Sequence, residues 1–380
     1  MDFSLSDDQR ELRDLARRII ERHATPEGLR AAEAREDFFH EALWHDLAGA
    51  GLLGTAIAED AGGSGLGLIE LGLILTEIGR AAAPVPIFPS LVMGALAVDR
   101  YGSPAQRARI LPEVATGQRM LTAALEERAA VDLLTPVTRA FPRPDGGFGL
   151  RGEKICVPAA HLASHVLVPA ATGAVDHPLI LLVDPRAEGV SLERQIATNG
   201  EPRYTMRLAD VLVGSDDVLI GPGPEARAAL SWIVQRTQAA LAAMQTGVAE
   251  RALRLTADYV RERKQFGKPI ATFQAVTQRI ADAYIDVEAM KLSAAQAIWR
   301  LSADLPAEKE VAVAKLWAAE GGYRVTAAAQ HLHGGMGVDR DYPLHRCTLW
   351  AKAIELTLGS SLDQLAQLGR ALAAPSGSNP

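Results

Sequence analysis

A cluster of basic side chains lies in the segment YVRERKQFGKPIATFQ, residues 259–274. The cluster consists of Arg261, Arg263, Lys264 and Lys268, at the end of a predicted helix. The partial negative charge of a helix C-terminus favours cations, which is a purely structural explanation of the cluster. Alternatively, the cluster binds a diphosphate, with the planar guanidinium of Arg263 donating two parallel hydrogen bonds beside Phe266. The spacing of the residues leaves both explanations open.

A second segment, QHLHGGMGV at residues 330–338, has three glycines in four positions. Because glycine has no side chain, the main chain there can come close to a ligand. His331 and His333 are two residues apart, so they point to different faces of a helix. No carboxylate is near them in the sequence, which argues against a zinc site. The segment is either a glycine-rich helix end or a loop that holds a cofactor.

The composition is that of an ordinary globular protein. The 380 residues are enough for two or three domains of about 150 residues each. A hydrophobic content of 48% excludes a disordered chain, and a net charge of −7 argues against nucleic acid as the main partner. Cys156 and Cys347 are too few for a disulfide framework, and we interpret them as inert packing residues. We expect no membrane span and a cytoplasmic location, because no long apolar run or signal peptide is present.

The elements that must position the two segments follow a helix, strand, helix order, which predicts an α+β fold class. Residues 1–120 have helical periodicity, beginning at a capping box of Ser6 and Gln9. Residues 121–225 predict an antiparallel β-domain, with strands at 148–157, 165–169, 179–183, 190–195, 204–213 and 218–220 and a loop at 141–147. Residues 226–374 predict a C-terminal four-helix bundle with helices at 226–264, 272–303, 307–332 and 343–371. Residues 375–380 predict a flexible tail.

Together, the two segments resemble the motifs of the acyl-CoA dehydrogenase family. One signature is matched by Arg263, Gln265, Phe266 and Gly267, followed by Phe273 and Gln274. A second is matched by the stretch HGGMG that ends at Gly337, followed by Asp341, Tyr342 and Pro343. The stretch YTMRLADVLVGSDDVLIG at 204–221 is similar to the end of the family's β-domain. The resemblance covers nearly the whole chain and implies the family's fold.

The resemblance also implies FAD as the cofactor, bound where two subunits meet. In the family, one subunit holds the flavin ring, and its neighbour contacts the diphosphate and adenosine through the two segments. This contact role would fall to Arg263, Gln265, Phe266, Gln274, His331, Gly334 and Gly335. His331 stands where the family usually has glutamine, and an imidazole can still form hydrogen bonds.

The residues that would serve this chain's own flavin depart from the family pattern. The family's base is a glutamate in a Glu-Gly-Thr turn, and the matching residues are Leu358, Gly359 and Ser360. A minority of members place the base before an arginine of the first C-terminal helix, where Gln235 precedes Arg236. Neither leucine nor glutamine can accept the α-proton, and a positioned base contributes about 10²–10⁴-fold to the rate.

The flavin-facing part of the β-domain departs as well. The loop that reads Thr-Glu-Pro and Gly-Ser-Asp in the family is LTAALEER at 121–128, with Val131 and Asp132 beyond. The flavin-flanking Trp-Ile-Thr strand is replaced by Cys156, Val157 and Pro158, and proline removes a main-chain donor. Leu349 and Trp350 stand in place of an Arg-Asp pair.

A chain that keeps the contacts to its neighbour's flavin and lacks those to its own resembles one subunit type. This type is the noncatalytic subunit of the α2β2 acyl-CoA dehydrogenases of actinobacterial steroid side-chain degradation. The resemblance implies that a second acyl-CoA dehydrogenase-like subunit supplies the base and most of the acyl-CoA site, with an electron-transfer flavoprotein as a candidate acceptor. Two alternatives stay open. One is a homotetrameric flavoenzyme with a displaced base, Glu355 or Asp363, and the other is a structural subunit that binds no flavin.

Overall fold

A computed structural model describes residues 3–130, 132–173 and 178–373 of the protein. The predicted tail at 375–380 and Val131 of the predicted flavin loop lie outside the described residues. The order of elements is helical, then β, then helical, as predicted from the sequence. The boundaries of the three predicted domains stay a prediction.

The helices precede and follow the strands. Before the strands lie α1 (Asp7–His23), α2 (Pro26–Glu33), α3 (Glu41–Gly49), α4 (Leu68–Ala81), a π-helical segment (Phe88–Ala95), α5 (Leu96–Tyr101) and α6 (Pro104–Ala115). After them lie α7 (Pro224–Glu262), α8 (Gln274–Ser302), α9 (Glu308–His333), α10 (Leu344–Leu356) and α11 (Ser361–Ala373). The prediction of a single helix at 343–371 is wrong, because Leu358 and Gly359 have φ values of 56° and 100°, which no right-handed helix contains.

The strands form one large sheet and a short hairpin. They are β1 (Leu121–Ala123), β2 (Arg139–Pro142), β3 (Phe148–Pro158), β4 (His165–Ala171), β5 (Pro178–Val183), β6 (Val190–Ile196), β7 (Pro202–Val213), β8 (Val218–Ile220), β9 (Lys264–Gln265) and β10 (Lys268–Pro269). The order in the large sheet is β6-β7-β3-β2-β4-β5-β8, and β1 pairs with β4.

The sheet is mixed, so the prediction of an antiparallel β-domain is wrong for part of it. Strand β4 pairs in parallel with both β1 and β2. The sequence does not reveal β1 and β2, because strands of three and four residues are too short for a visible alternation of apolar and polar residues. The predicted loop at 141–147 is also wrong at its start, since Phe141 and Pro142 belong to β2.

The chain divides into two compact units, each of which collects separate segments of the sequence. The first unit contains residues up to 30, residues 72–83 and residues from 238 onward, and the second contains residues 31–71 and 84–237. In the first unit, α9 packs against α8, α10 and α11. In the second, the apolar side chains of the large sheet form a continuous buried core that includes Leu150, Val168, Leu181 and Met206.

A network of charged side chains crosses the helices of the first unit. The Glu77 side chain is only 2% exposed and accepts two hydrogen bonds from Arg17 and one from Arg80. Arg80 also pairs with Glu250, and Glu250 with Lys291 at 2.7 Å. The hydrogen bonds to Glu77 raise the pKa of Arg17. A buried carboxylate is tolerated here because two guanidinium groups compensate its charge.

A buried ion pair fixes the loop that follows β1 in the second unit. The ammonium of Lys154 on β3 lies 2.7 Å from the carboxylate of Glu127, and both side chains are 1% exposed. Glu127 also accepts hydrogen bonds from the main-chain N–H groups of Val137 and Thr138. Burial opposes ionisation of Glu127, but Lys154 and these donors outweigh it, so the pKa of Glu127 lies below its ordinary value. Burial likewise lowers the pKa of Lys154, against the attraction of Glu127.

Removing one partner of this pair is expected to be more harmful than removing both. Glu127→Gln leaves the Lys154 ammonium buried without a counter-charge, and we expect a loss of about 3–5 kcal/mol in the free energy of unfolding. The double variant Glu127→Gln/Lys154→Met carries no buried charge at the site and should recover most of that loss. Denaturant unfolding of the three proteins measures the difference. A double variant no more stable than Glu127→Gln would contradict this account.

Candidate functional site

The basic segment forms a β-hairpin after the end of α7. Lys268 pairs with Gln265 across strands β9 and β10, and Phe266 and Gly267 form the turn between them. Both turn residues have positive φ, 54° and 78°, the geometry of a two-residue type I′ turn, in which glycine is favoured. The Phe266 side chain is 92% exposed at the tip. A turn of this kind holds a large aromatic side chain in solvent, which is typical of a contact surface.

Arg263 has a fixed main chain and an exposed side chain. Its N–H donates to the carbonyl of Tyr259, and its own carbonyl accepts from Ile270, both at 2.8 Å. Among the described residues, no acidic side chain forms an ion pair with Arg263, and its guanidinium does not hydrogen-bond the end of α7. The explanation of the cluster as helix-end compensation therefore has no contact to support it at Arg263. Gln265 is exposed on β9, and Gln274 is exposed at the first position of α8.

The glycine segment begins where α9 ends. Gly334 has φ 59° and ψ −133°, a conformation that residues with a side chain almost never adopt. A methyl group placed on Gly334 or Gly335 would have no atom within 4 Å, so open space lies beside this main chain. His331 is exposed on the last turn of α9, and its Nδ1 accepts a hydrogen bond from the guanidinium of Arg279 on α8. The imidazole proton of a neutral His331 is therefore on Nε2.

Three aromatic residues bring the two segments together. The rings of Tyr259 on α7 and His333 at the end of α9 are stacked at 4.3 Å between centroids. The ring of Tyr342 lies 5.1 Å from that of His333. The sequence indicates no role for Tyr259, because a tyrosine one turn before a helix end is ordinary, and it presents Tyr342 only as part of the second signature. Only the fold makes the rings neighbours.

The turn at Leu358, Gly359 and Ser360, which the resemblance matches to the family's catalytic turn, is held by several hydrogen bonds, and the side chain at its first residue is apolar. Leu358 is 1% exposed, and its carbonyl accepts a hydrogen bond of 3.0 Å from the side chain of Gln238. The buried ammonium of Lys315 on α9 donates to three carbonyls around the turn, those of Ile354, Glu355 and Gly359, at 2.9–3.1 Å. These contacts are made to the main chain of the turn and do not involve the side chain of Leu358.

The other candidate bases are engaged in local contacts. The carboxylate of Glu355 lies 2.6 Å from the ammonium of Lys352. Asp363 accepts hydrogen bonds from the hydroxyl and the N–H of Ser360, and these bonds lower the pKa of its carboxyl group. A carboxylate with a lowered pKa is a weaker base. Gln235 donates to the Ser231 hydroxyl at 3.0 Å and has no basic atom.

Strand β3, whose end the resemblance matches to the family's flavin-flanking strand, is distorted at Cys156. The register of β3 against β7 shifts between Lys154 and Val157, and Cys156 has a φ of 54°. The Pro158 carbonyl accepts a hydrogen bond of 2.8 Å from the buried hydroxyl of Thr122. Burial raises the pKa of Cys156, and it raises the pKa of Cys347 to about 12, so neither thiol is a reactive thiolate at neutral pH.

Sequence profiles of a known family match most of the chain. The acyl-CoA dehydrogenase N-terminal domain matches residues 6–118, and the acyl-CoA dehydrogenase C-terminal domain matches residues 228–373. Acyl-CoA dehydrogenase FadE27 of Mycobacterium tuberculosis is 35% identical over 98% of this chain and 99% of its own length. The chain belongs to the acyl-CoA dehydrogenase family. FadE28 of the same organism is 34% identical to this acyl-CoA dehydrogenase over 97% of the chain and 98% of its own length.

Solved structures with the same fold include two that are similar in sequence as well. A chain from a variant of the Tcur3481-Tcur3483 steroid ACAD is 45% identical, with a TM-score of 0.90 and coverage of 97% of this chain and 99% of its own. A chain of the ChsE4-ChsE5 complex from M. tuberculosis is 35% identical, with a TM-score of 0.92 and complete coverage of both chains. Butyryl-CoA dehydrogenase of Megasphaera elsdenii, at 24% identity and a TM-score of 0.89, shares the fold.

The residues of the hairpin and the glycine segment fit the diphosphate part of FAD. An exposed guanidinium can meet phosphate oxygens, and the main chain at Gly334 and Gly335 leaves room for a ligand. The residues around Cys156 and Pro158 fit the flavin ring less well. Proline offers no N–H to the ring, and a half-buried thiol stands where the resemblance leads us to expect the large side chain of tryptophan. In the described part of the chain, no group of three or more metal-ligating side chains is found, and no helix has the length and apolarity to cross a membrane.

The contribution of Lys315 to the turn can be measured by Lys315→Met. The variant leaves one buried and two partly buried carbonyls without this donor, and we expect a loss of about 2–4 kcal/mol in the free energy of unfolding. Lys352→Met is the matched control, because Lys352 is partly exposed and its pair with Glu355 is worth about 1 kcal/mol or less. Thermal unfolding compares the two variants. Equal losses would show that Lys315 does not hold the turn.

Proposed function

We propose that this acyl-CoA dehydrogenase is the noncatalytic subunit of a heteromeric, FAD-dependent enzyme that introduces a double bond between Cα and Cβ of an acyl-CoA thioester. FAD, when bound, supplies the acceptor for the hydride from Cβ. A partner subunit supplies the base that removes the α-proton. The observation that carries the proposal is the buried Leu358 in the turn that we match to the family's catalytic turn, since this turn is held by Lys315 and has no side chain at residue 358 that accepts a proton.

In this proposal, the chain contributes one half of the cofactor site. Arg263 donates charge-assisted hydrogen bonds to the diphosphate, and the main chain at Gly334 and Gly335 lies against it. The adenosine end of the same FAD is contacted by Gln265, Phe266, Gln274 and His331. The flavin ring of this FAD lies in the partner. The exposure of the hairpin supports this division of the cofactor between two subunits. A residue of this chain can contact an FAD held mainly by the partner only if it lies on the surface of this chain.

The relatives support a heteromeric assembly and a steroid substrate. The two solved structures described above with more than 30% identity each carry the names of two different proteins, and one of them is described as a steroid acyl-CoA dehydrogenase. We therefore propose an α2β2 assembly, a substrate with a bulky steroid-type side chain bound mainly by the partner, and a cytoplasmic location. An electron-transfer flavoprotein is the proposed electron acceptor. The two alternatives, a homotetramer with a displaced base and a subunit without flavin, are outcomes of the following test.

The first test is the flavin content of the chain with and without its partner. Expressed alone, the chain should bind no stoichiometric FAD and form no enoyl-CoA, because half of the cofactor site and the base are missing. Co-expressed with the partner, it should give a yellow complex with half as many FAD molecules as chains. One FAD for every chain in a homotetramer that forms enoyl-CoA would support the displaced base. A colourless complex would support a structural subunit.

The second test is Arg263→Ala in the complex. A charge-assisted hydrogen bond contributes about 1.5–3 kcal/mol, so the affinity for FAD should fall about 10- to 150-fold. Arg263→Lys keeps the charge but not the two parallel donors, and we expect an intermediate loss. Arg254→Ala is the control, because Arg254 is an exposed arginine of the same helix that pairs with Asp258. Titration of the apo complex with FAD measures the affinities, and unchanged binding by Arg263→Ala would remove Arg263 from the site.

A further inference from the structure

The cluster of Tyr259, His333 and Tyr342 joins α7 to the end of α9 and the start of α10, which lie more than 70 residues further along the chain. Tyr259 belongs to α7, His333 is the last residue of α9, and Tyr342 lies just before α10. The Tyr259 and His333 rings are stacked, with an angle of 23° between their planes, and Tyr342 lies 6.4 Å from Tyr259 in an edge arrangement. His333 is only 3% exposed. The cluster is therefore a packed core of aromatic rings directly beneath the glycine segment.

Hydrogen bonds fix the orientation of the His333 ring. Its Nδ1 lies 2.8 Å from the carbonyl of Ala329, which can only accept, so Nδ1 carries the proton. Its Nε2 is then the acceptor for the Tyr342 hydroxyl at 3.1 Å. The Tyr259 hydroxyl lies 3.5 Å from the His333 carbonyl. Burial lowers the pKa of His333, which agrees with a neutral ring. Every polar atom of the imidazole is used inside the protein, so His333 is not a ligand-binding group.

The cluster includes residues of both the basic segment and the glycine segment. His333 is followed directly by Gly334, whose φ and ψ angles determine the direction in which the glycine main chain leaves α9. The carbonyl of Tyr259 accepts the hydrogen bond from the N–H of Arg263 at 2.8 Å, so the main chain of Tyr259 also holds the residue that directly precedes the hairpin. One stacked pair of rings thus connects the residue that precedes Gly334 to the residue that holds Arg263.

We propose that the cluster of Tyr259, His333 and Tyr342 is a positioning device that sets the guanidinium of Arg263 against the main chain of Gly334 and Gly335. The inference rests on the proposed function, since it assumes that both segments bind one diphosphate. A bidentate donor and a main-chain cradle bind the same group together only if their separation is held to within a fraction of an ångström. The ring stack provides that constraint because stacked, hydrogen-bonded rings cannot slide without losing contacts.

The experiment uses the complex with its partner and measures the dissociation constant of FAD by fluorescence titration of the apo complex. We expect His333→Ala to weaken FAD binding about 10- to 100-fold, because both segments lose their common support. Tyr342→Phe removes only the hydroxyl and should cause a smaller loss. His333→Phe keeps a ring for the stack and should recover part of the affinity that His333→Ala loses.

A stability control separates positioning from general destabilisation. Val325→Ala removes two methyl groups from a residue of the same helix that is 1% exposed, so it lowers the unfolding temperature without touching the cluster. We expect Val325→Ala to leave the dissociation constant of FAD unchanged. If Val325→Ala and His333→Ala lower the unfolding temperature equally and weaken FAD binding equally, the cluster has no positioning role.

A double-mutant cycle gives the decisive measurement. If His333 acts through the placement of Arg263, then His333→Ala should weaken FAD binding several-fold less in an Arg263→Ala background than in the wild-type complex. Losses that simply multiply would overturn the inference. The cycle also distinguishes this inference from the proposed function: no effect of Arg263→Ala alone would remove the diphosphate site itself, whereas an effect of Arg263→Ala with none of His333→Ala would remove only the positioning device.

Discussion

The ammonium group of Lys315 is buried in the helical unit, and a charge in that position must be compensated by polar partners. Three carbonyls around the turn between α10 and α11 provide the compensation. Because the lysine depends on the carbonyls and the carbonyls depend on the lysine, the main chain of the turn has one conformation. The side chain of residue 358 takes no part in this arrangement. The contacts of Lys315 with the turn are therefore made to main-chain atoms only, and the proposed function depends on the separate fact that residue 358 carries no basic atom.

Two carboxylates are also buried and need partners that compensate their charge. Glu77 is buried under two arginines, and Glu127 is buried against Lys154 with two main-chain donors beside it. The Arg17–Glu77 and Lys154–Glu127 pairs join elements that are separate in sequence, and both make a local rearrangement costly, because moving one partner leaves the other buried alone. The frame of an acyl-CoA dehydrogenase is thus held by contacts that do not belong to the chemistry.

The two halves of the proposed cofactor site differ in exposure and charge. The hairpin and the glycine segment combine an exposed guanidinium, an exposed aromatic ring and open space beside the main chain, which are the properties of a surface that meets a ligand from outside. The positions that would surround the chain's own flavin carry a buried leucine, a proline without a donor and a thiol whose pKa burial raises. Burial stabilises leucine and disfavours the charge that a base must acquire. The difference between the halves is one of exposure and charge rather than of fold.

The sequence by itself determined the order of the elements, most of the strands and the family, because apolar periodicity and the motifs around Arg263 and Gly334 are local properties of the chain. It also determined that residue 358 has no basic atom. Only the tertiary structure decided that β1 and β2 join the sheet in parallel with β4, that the last predicted helix is broken at Leu358, and that Glu355 and Asp363 are already engaged. It alone brought Tyr259, His333 and Tyr342 into one cluster. The reason is physical: a pairing between strands, a buried ion pair and a ring stack depend on which distant residues become neighbours, and the pattern of a single segment carries no information about that.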